Sequence, residues 1–169
     1  MKRIILTVVF ALATLGIASA QRYIVIDSEK VFKSLDSYNN AIGQLDDLAK
    51  QYQAEVDNKY KSIESLYNNY MAQKASLSAS ARATIEQQIL QKEQEAQNFQ
   101  QSLFGEDGKL MKRRVELIKP IQTKVFGVIE QYAKANGYDL VLDKASNATM
   151  LYSSDAIDKT SEIIEELKK

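Results

Sequence analysis

A seven-residue repeat of apolar side chains runs through residues 38–103 and limits what this chain can fold into. Its first positions fall seven residues apart, at Ile42, Ala49, Val56, Ile63, Tyr70 and Leu77. Its second positions lie three residues further on, at Leu45, Tyr52, Lys59, Leu66 and Gln73, and three of these five are apolar. A stripe with this period indicates an α-helix that packs lengthwise on another helix.

A second stripe begins after Ser78–Ala81. It continues with spacings of four and three through Ile85, Ile89, Lys92, Ala96, Phe99 and Leu103. Two stripes with a short break between them predict an antiparallel helical hairpin over residues 38–104. At about 1.5 Å per residue, an arm of roughly 40 residues would reach about 60 Å, which is longer than a compact domain of this size needs.

The N-terminus has the pattern of an export signal. Lys2 and Arg3 precede an apolar run over residues 4–17, and Ala18-Ser19-Ala20 follows. This pattern predicts a secretory signal peptide, residues 1–20, that is cleaved after Ala20. A membrane anchor is the alternative, but the apolar run is shorter than the roughly 20 residues that span a bilayer. The absence of cysteine argues against a lipid anchor and against disulfides.

Composition narrows the classes of function. The chain carries 22 basic and 22 acidic residues, so losing Lys2 and Arg3 leaves 20 against 22, a net charge of −2. That balance argues against a nucleic-acid partner. Histidine and cysteine are both absent, which removes the usual general base, zinc ligand and thiol nucleophile. We therefore expect neither an enzyme nor a cofactor.

The two ends of the mature chain predict a small body of strands and helices, residues 21–37 plus 105–169. Residues 22–27 predict one strand, and residues 138–143 and 149–152 predict a β-hairpin. Residues 109–135 and the C-terminal end predict helices. The predicted fold class is therefore α+β, mainly α, with a long hairpin arm and a small β body.

So small a sheet would leave its edges exposed. Strands from other copies of the chain would close it, which predicts an oligomer whose body holds the strands. The alternative is a monomer in which helices 109–135 and 156–168 cover the sheet.

The order of elements resembles the Skp-type periplasmic chaperones, also called the OmpH-like family. The residues that carry the resemblance are Tyr23–Phe32, Ile121–Val125, Gly137–Asp143, Leu151–Ser154 and Asp158–Thr160. The resemblance implies a homotrimer, with three arms around a cavity that holds unfolded outer-membrane proteins without ATP. The sequence agrees in having no G-x-x-x-x-G-K-[ST] phosphate loop. A structural or adaptor coiled coil of the envelope is the alternative function.

The charge of the arm departs from the family, whose familiar members are markedly basic. Residues 38–104 carry six basic and eight acidic side chains, so long-range attraction of acidic clients is not expected. Binding of lipopolysaccharide or a membrane, proposed for the family, would need a basic cluster. Lys112-Arg113-Arg114 is the one such run, and a solvated helix face is the simpler interpretation of it.

Several apolar side chains lie on or beside the stripe. The residues predicted to help line a client-facing surface are Tyr60, Tyr67, Tyr70, Met71, Leu77 and Leu90. Tyrosine and methionine suit promiscuous contacts because they are amphipathic or adaptable. The alternative is that Tyr60 and Tyr67 only widen the packed stripe. Gly105 and Gly108 interrupt the helical pattern and predict a hinge, with a static helix break as the alternative.

Overall fold

The structure is a computed structural model that describes residues 22–145 and 150–169. The predicted signal peptide, residues 1–20, lies outside the described residues, as does Thr149. The chain divides into two compact units. Unit 1 contains residues 22–31 and the described part of 126–169, and unit 2 is Phe32–Val125. The predicted arm, residues 38–104, lies within unit 2.

The long helical hairpin predicted from the repeat is present. After the short helix α1, Ser28–Lys33, helix α2 is Asp36–Gln73 and helix α3 is Ala79–Phe104. The first and second positions of the repeat supply its buried seam, in which Ile63, Tyr70, Ile89 and Ala96 pack together with Leu66, Leu77 and Ile85. The prediction of a mainly helical α+β chain with such a hairpin is confirmed.

Ring contacts along the hairpin establish that its helices are antiparallel. The rings of Tyr52 and Phe104 meet edge to face, with centroids 6.2 Å apart. Seven residues later on α2, the Lys59 amine lies 4.7 Å from the centroid of the Phe99 ring, which comes five residues earlier on α3. The charged residue at a position of the repeat that is normally apolar is therefore accommodated by a cation–π contact.

The turn between α2 and α3 occupies residues 74–78. Ser78 begins α3 as its N-cap, because its Oγ accepts a hydrogen bond from the Ala81 N–H at 3.2 Å. This cap satisfies one of the backbone donors that a helix start leaves without an intrahelical partner.

The third long helix, α4, is Lys109–Ala135 and continues through Pro120. Its first half packs on the beginning of α2. Ala41, Leu45 and Ile118 are the buried centre of this cluster, and Tyr38, Ile42, Leu110, Leu117 and Ile121 surround them. The early turns of α2 therefore have α4 as a packing partner within unit 2.

Unit 1 contains a two-stranded parallel sheet. Strand β1 is Tyr23–Ile26 and strand β2 is Leu140–Asp143, with Tyr23 opposite Leu140 and Ile26 opposite Asp143. The predicted β-hairpin over 138–152 is wrong in its described part. Residues 150–152 form no strand, and β2 pairs instead with the N-terminal strand. Ile24 to Ile26 are buried, as expected for a strand apolar on both faces.

Gly137 ends α4 and turns the chain toward β2. Its φ of 69° lies in the left-handed region that glycine adopts at low cost. The Gly137 N–H donates to the Lys134 carbonyl at 3.2 Å, and the Tyr138 N–H donates to the Ala133 carbonyl at 2.9 Å. These two bonds are the Schellman motif, the common glycine-dependent helix stop.

Short side chains hold β1, β2 and the last helix, α5 (Thr160–Lys168), together. Asp143, at the end of β2, accepts hydrogen bonds from the Ser28 N–H at 3.0 Å and the Ser28 Oγ at 2.6 Å. The Asp27 N–H donates to Thr160 Oγ1 at 2.9 Å. Backbone donors just beyond β1 are thereby satisfied from both the sheet and the helix.

Asp158 stands at the start of α5 and forms an ion pair with Lys144, N to O distance 2.5 Å. It also accepts a hydrogen bond from the Thr160 N–H at 2.9 Å. Burial alone would raise the pKa of Asp158, but the bonds from Lys144 and Thr160 outweigh it and lower the pKa to about 2.

Candidate functional site

One flank of the helical hairpin exposes large apolar side chains outside the buried seam. Tyr60, Tyr67 and Met71 lie on α2 and are 39%, 48% and 50% exposed, while Leu90 on α3 is 65% exposed. The three α2 residues are spaced seven and four apart, so they follow one side of the helix. We call these four side chains the flank strip.

The four side chains of the flank strip line two neighbouring depressions. The larger, about 600 Å³, is open to solvent and is lined by Tyr60 and Tyr67. The second, about 380 Å³, is lined by Tyr67, Met71 and Leu90. Tyr67 and Glu93 line both depressions, so the strip is one continuous surface that crosses from α2 to α3.

The other two residues of the predicted surface lie in the seam. Tyr70 is only 4% exposed and belongs to the buried cluster, and Leu77 packs against that cluster. The Tyr70 hydroxyl donates to the Glu86 carboxylate. That hydrogen bond, and then burial, raises the pKa of the Tyr70 phenol. Tyr70 therefore presents little surface to a partner, and its place is predicted by the repeat itself.

The glycines of the predicted hinge form a tight corner between α3 and α4. The Gly105 N–H donates to the Gln101 carbonyl at 2.8 Å, and the Gly108 N–H donates to the Gly105 carbonyl at 2.9 Å. A Cβ at Gly105 would lie 2.5 Å from the Gln101 oxygen, and one at Gly108 would lie 2.7 Å from the Leu103 oxygen. Alanine at either position would distort the corner rather than merely stiffen it, so alanine variants are unsuited to testing a hinge.

The basic run on α4 is exposed, and one of its members is engaged within the helix. Lys112, Arg113 and Arg114 all face solvent. Arg113 forms an ion pair with Glu116 at 3.2 Å. Such a pair is typical of a solvated helix face.

Unit 1 has an exposed apolar surface that the sequence pattern did not predict. Tyr23 and Leu140 are opposite one another in the sheet and about half exposed. Leu151 and Tyr152 are 96% and 85% exposed in a non-regular segment. Strand alternation places Tyr23 and Val25 on the same face of β1. Tyr23 is nevertheless exposed and Val25 buried, so the alternation of the strand could not tell them apart.

Among the described residues, no helix combines the length and the hydropathy that crossing a bilayer requires. Residues 22–145 and 150–169 also contain no group of three or more acidic side chains arranged to hold a metal ion.

Comparison with known proteins identifies the class of molecule that carries these surfaces. The family model for outer membrane proteins of the OmpH-like type matches residues 22–167. The chain belongs to the OmpH-like family. This is a family of outer-membrane chaperones that function in the periplasm, so the resemblance found in the sequence is confirmed.

Two individual proteins match along nearly the whole chain. The chain is 30% identical over 162 residues to an uncharacterized protein of Aquifex aeolicus (strain VF5), covering 95% of each. It is 21% identical over 158 residues to the chaperone protein Skp of Yersinia enterocolitica, covering 94% of this chain and 93% of Skp.

A solved structure shares the fold of this OmpH-like chain. It is the crystal structure of a protein from Caulobacter crescentus CB15 described as an outer membrane chaperone (OmpH-like). The TM-score is 0.67 at 15% sequence identity, over 88% of this chain and 85% of that one. The similarity supports the architecture of hairpin and small strand body.

Proposed function

We propose that this OmpH-like chain is an ATP-independent periplasmic holdase, exported by the segment that ends at Ala20. In this proposal it assembles as a homotrimer, and its helical hairpins enclose unfolded outer-membrane β-barrel proteins and prevent their aggregation. The observation that carries the proposal is the flank strip, a continuous surface of Tyr60, Tyr67, Met71 and Leu90 that the packing of the hairpin leaves exposed.

The chemistry of the flank strip suits such a client. Strands of outer-membrane barrels alternate apolar and polar residues, so an unfolded barrel presents short apolar contacts rather than long apolar runs. Tyrosine offers both an apolar ring and a hydroxyl, and methionine adapts its shape to irregular partners. Several such surfaces around one client raise the overall affinity although each contact is weak.

Self-association is supported by the exposed apolar surface of unit 1. Tyr23 and Leu140 are about half exposed, and Leu151 and Tyr152 are almost fully exposed. The sheet in the described chain has two strands, and a two-stranded sheet is marginal by itself. Contacts between copies would bury these side chains and extend the sheet.

The decisive test measures aggregation of a urea-unfolded barrel protein after dilution into equimolar trimer, followed by light scattering. The test variant carries Tyr60→Ser, Tyr67→Ser, Met71→Ser and Leu90→Ser, leaving the seam intact. We expect it to lose most of the protection given by the parent chain while keeping its helical circular dichroism. The matched control replaces four exposed polar residues away from the depressions: Asn58→Ser, Asn69→Ser, Gln87→Ser and Gln88→Ser.

Full protection by the flank-strip variant would refute the role of these four side chains. No protection by the parent chain would refute the holdase function and favour an adaptor coiled coil. The molar mass of the parent chain, measured by light scattering, is the second test, because a monomer has a single arm and no cavity between arms in which to enclose a client.

A further inference from the structure

Acidic side chains alternate with the tyrosines of the flank strip. Asp57, Tyr60, Glu64 and Tyr67 follow one another at spacings of three, four and three, which places them along one side of α2. Glu93 faces them from α3, and together they line the larger depression with Lys61 as its single basic residue. The depression thus combines three carboxylates, two exposed phenol rings and one amine.

Two of these carboxylates have no ion-pair partner within the described chain. No lysine or arginine nitrogen of the described residues lies within 4.0 Å of Glu64 or Glu93. Asp57 accepts a hydrogen bond from the neutral Gln53 amide at 2.8 Å. The acidic charge of the depression is therefore available to a partner.

The hairpin already holds one lysine between a tyrosine ring and a carboxylate. Lys74 places its amine 5.2 Å from the Tyr70 ring centroid and 3.8 Å from a Glu86 oxygen. This pairing stands at the turn end of the hairpin, next to the flank strip. The larger depression offers a tyrosine at position 67, three residues before Tyr70, and a glutamate at position 93, seven residues after Glu86.

We propose that the flank strip selects client segments in which a lysine or arginine stands next to apolar residues. The cation would lie over the Tyr60 or Tyr67 ring and beside Glu64 or Glu93, while the apolar neighbours contact Met71 and Leu90. This rests on the proposed holding function and specifies its client class. An exposed ion pair alone contributes little, but a ring face and a carboxylate acting on the same cation add to one another.

The test uses three unstructured, fluorescently labelled peptides with the same alternating apolar residues. Their polar positions are all lysine, all glutamine or all glutamate, and binding to the full mature chain is read by fluorescence anisotropy. At about 50 mM salt we expect the lysine peptide to bind more tightly than the glutamine peptide and the glutamate peptide most weakly. The differences in affinity among the three peptides should become smaller at about 500 mM salt, because salt screens exposed charges.

Variants separate the local site from the overall negative charge. Glu64→Gln with Glu93→Gln should weaken lysine-peptide binding about 2- to 10-fold, the range for two exposed charge contacts. The matched control, Asp46→Asn with Glu55→Gln, changes the net charge equally at exposed α2 positions outside the depressions and should change binding less than about 2-fold. Tyr60→Leu with Tyr67→Leu should reduce the preference for lysine over glutamine while keeping apolar binding, because leucine has no ring face.

The outcomes distinguish this inference from the function on which it rests. Equal binding of the three peptides, with protection against aggregation retained, overturns the preference and leaves the holdase function standing. An equal loss of binding in the Asp46 and Glu55 control also overturns the preference, because net charge alone would then explain the effect. Failure of every peptide to bind, together with failure to prevent aggregation, overturns both.

Discussion

Replacing Asp158 by asparagine should destabilise unit 1 in a way that depends on pH. The carboxylate joins Lys144, just after β2, to the start of α5, and both side chains are less than one-third exposed. Asparagine keeps an oxygen for the Thr160 N–H but removes the negative charge opposite Lys144. The amine then remains partly buried without its anionic partner, which is the costly part of breaking such a pair.

The lowered pKa of Asp158 sets the size and the sign of the effect. The pKa is about 2 in the folded chain, against an ordinary value of 3.8. A group with a lowered folded pKa stabilises the fold above its unfolded pKa and loses that contribution as pH falls through the folded value. The difference corresponds to about 2 kcal/mol at neutral pH and less than about 1 kcal/mol at pH 2.5.

Peptide-resolved hydrogen exchange at increasing urea concentration is the suitable assay, because it reports on unit 1 separately from the helical hairpin. The Asp158→Asn variant should lower the urea midpoint of peptides from β1 and β2 at pH 7 and lower it much less at pH 2.5. Asp155→Asn is the matched control, because Asp155 is exposed and lies three residues before Asp158. The control therefore removes the same charge close to the ion pair. An equal loss at both pH values, or an equal loss in the control, would refute the assignment of this stability to the Asp158 ion pair.

Two further predictions concern the helical hairpin and are measured by urea unfolding followed at 222 nm. Leu103→Ala removes a side chain that is 1% exposed and should cost about 2 to 4 kcal/mol, whereas Leu90→Ala on the exposed flank should cost less than about 1 kcal/mol; equal costs would contradict the assigned packing. Gly108→Ala should destabilise by about 1 kcal/mol or more, because its Cβ would meet backbone atoms within 3 Å. Gly43 lies inside α2, near its beginning, and a Cβ there would meet nothing within 4 Å. Gly43→Ala should therefore stabilise by about 0.5 to 1 kcal/mol; the same sign for both glycines would contradict the corner geometry.

The helical hairpin could be predicted from the sequence because the pattern that determines it involves residues close together in the chain. A stripe of period seven names the buried positions directly, and Val56, Ile63 and Tyr70 are all buried as the repeat requires. The same rule explains why Tyr70 has little exposed surface while Tyr67, three residues earlier, has much. Lys59 is a charged exception at a normally apolar position, and only the three-dimensional structure supplies its partner, the Phe99 ring.

The sheet could not be predicted in the same way because it depends on pairing between strands that are far apart in the chain. Composition identified β1 and β2 as strands, but it could not reveal that they pair with one another in parallel although more than 100 residues separate them. Met150 to Tyr152 have the composition of a strand but form none in a single chain. A strand requires a partner with free backbone groups, and composition does not say whether that partner is in the same chain.

The parallel pairing of Tyr23–Ile26 with Leu140–Asp143 also sets an order of events during folding. The helices between the strands form from contacts close in sequence, which is fast, whereas the sheet must close a loop of more than 100 residues, which is slow. The apolar strand β1 is synthesised early. It has no sheet partner until β2 has been synthesised and the helices between the two strands have folded. A chain truncated before residue 140 would therefore carry a folded hairpin and a permanently unpaired apolar strand, the kind of segment that seeds aggregation.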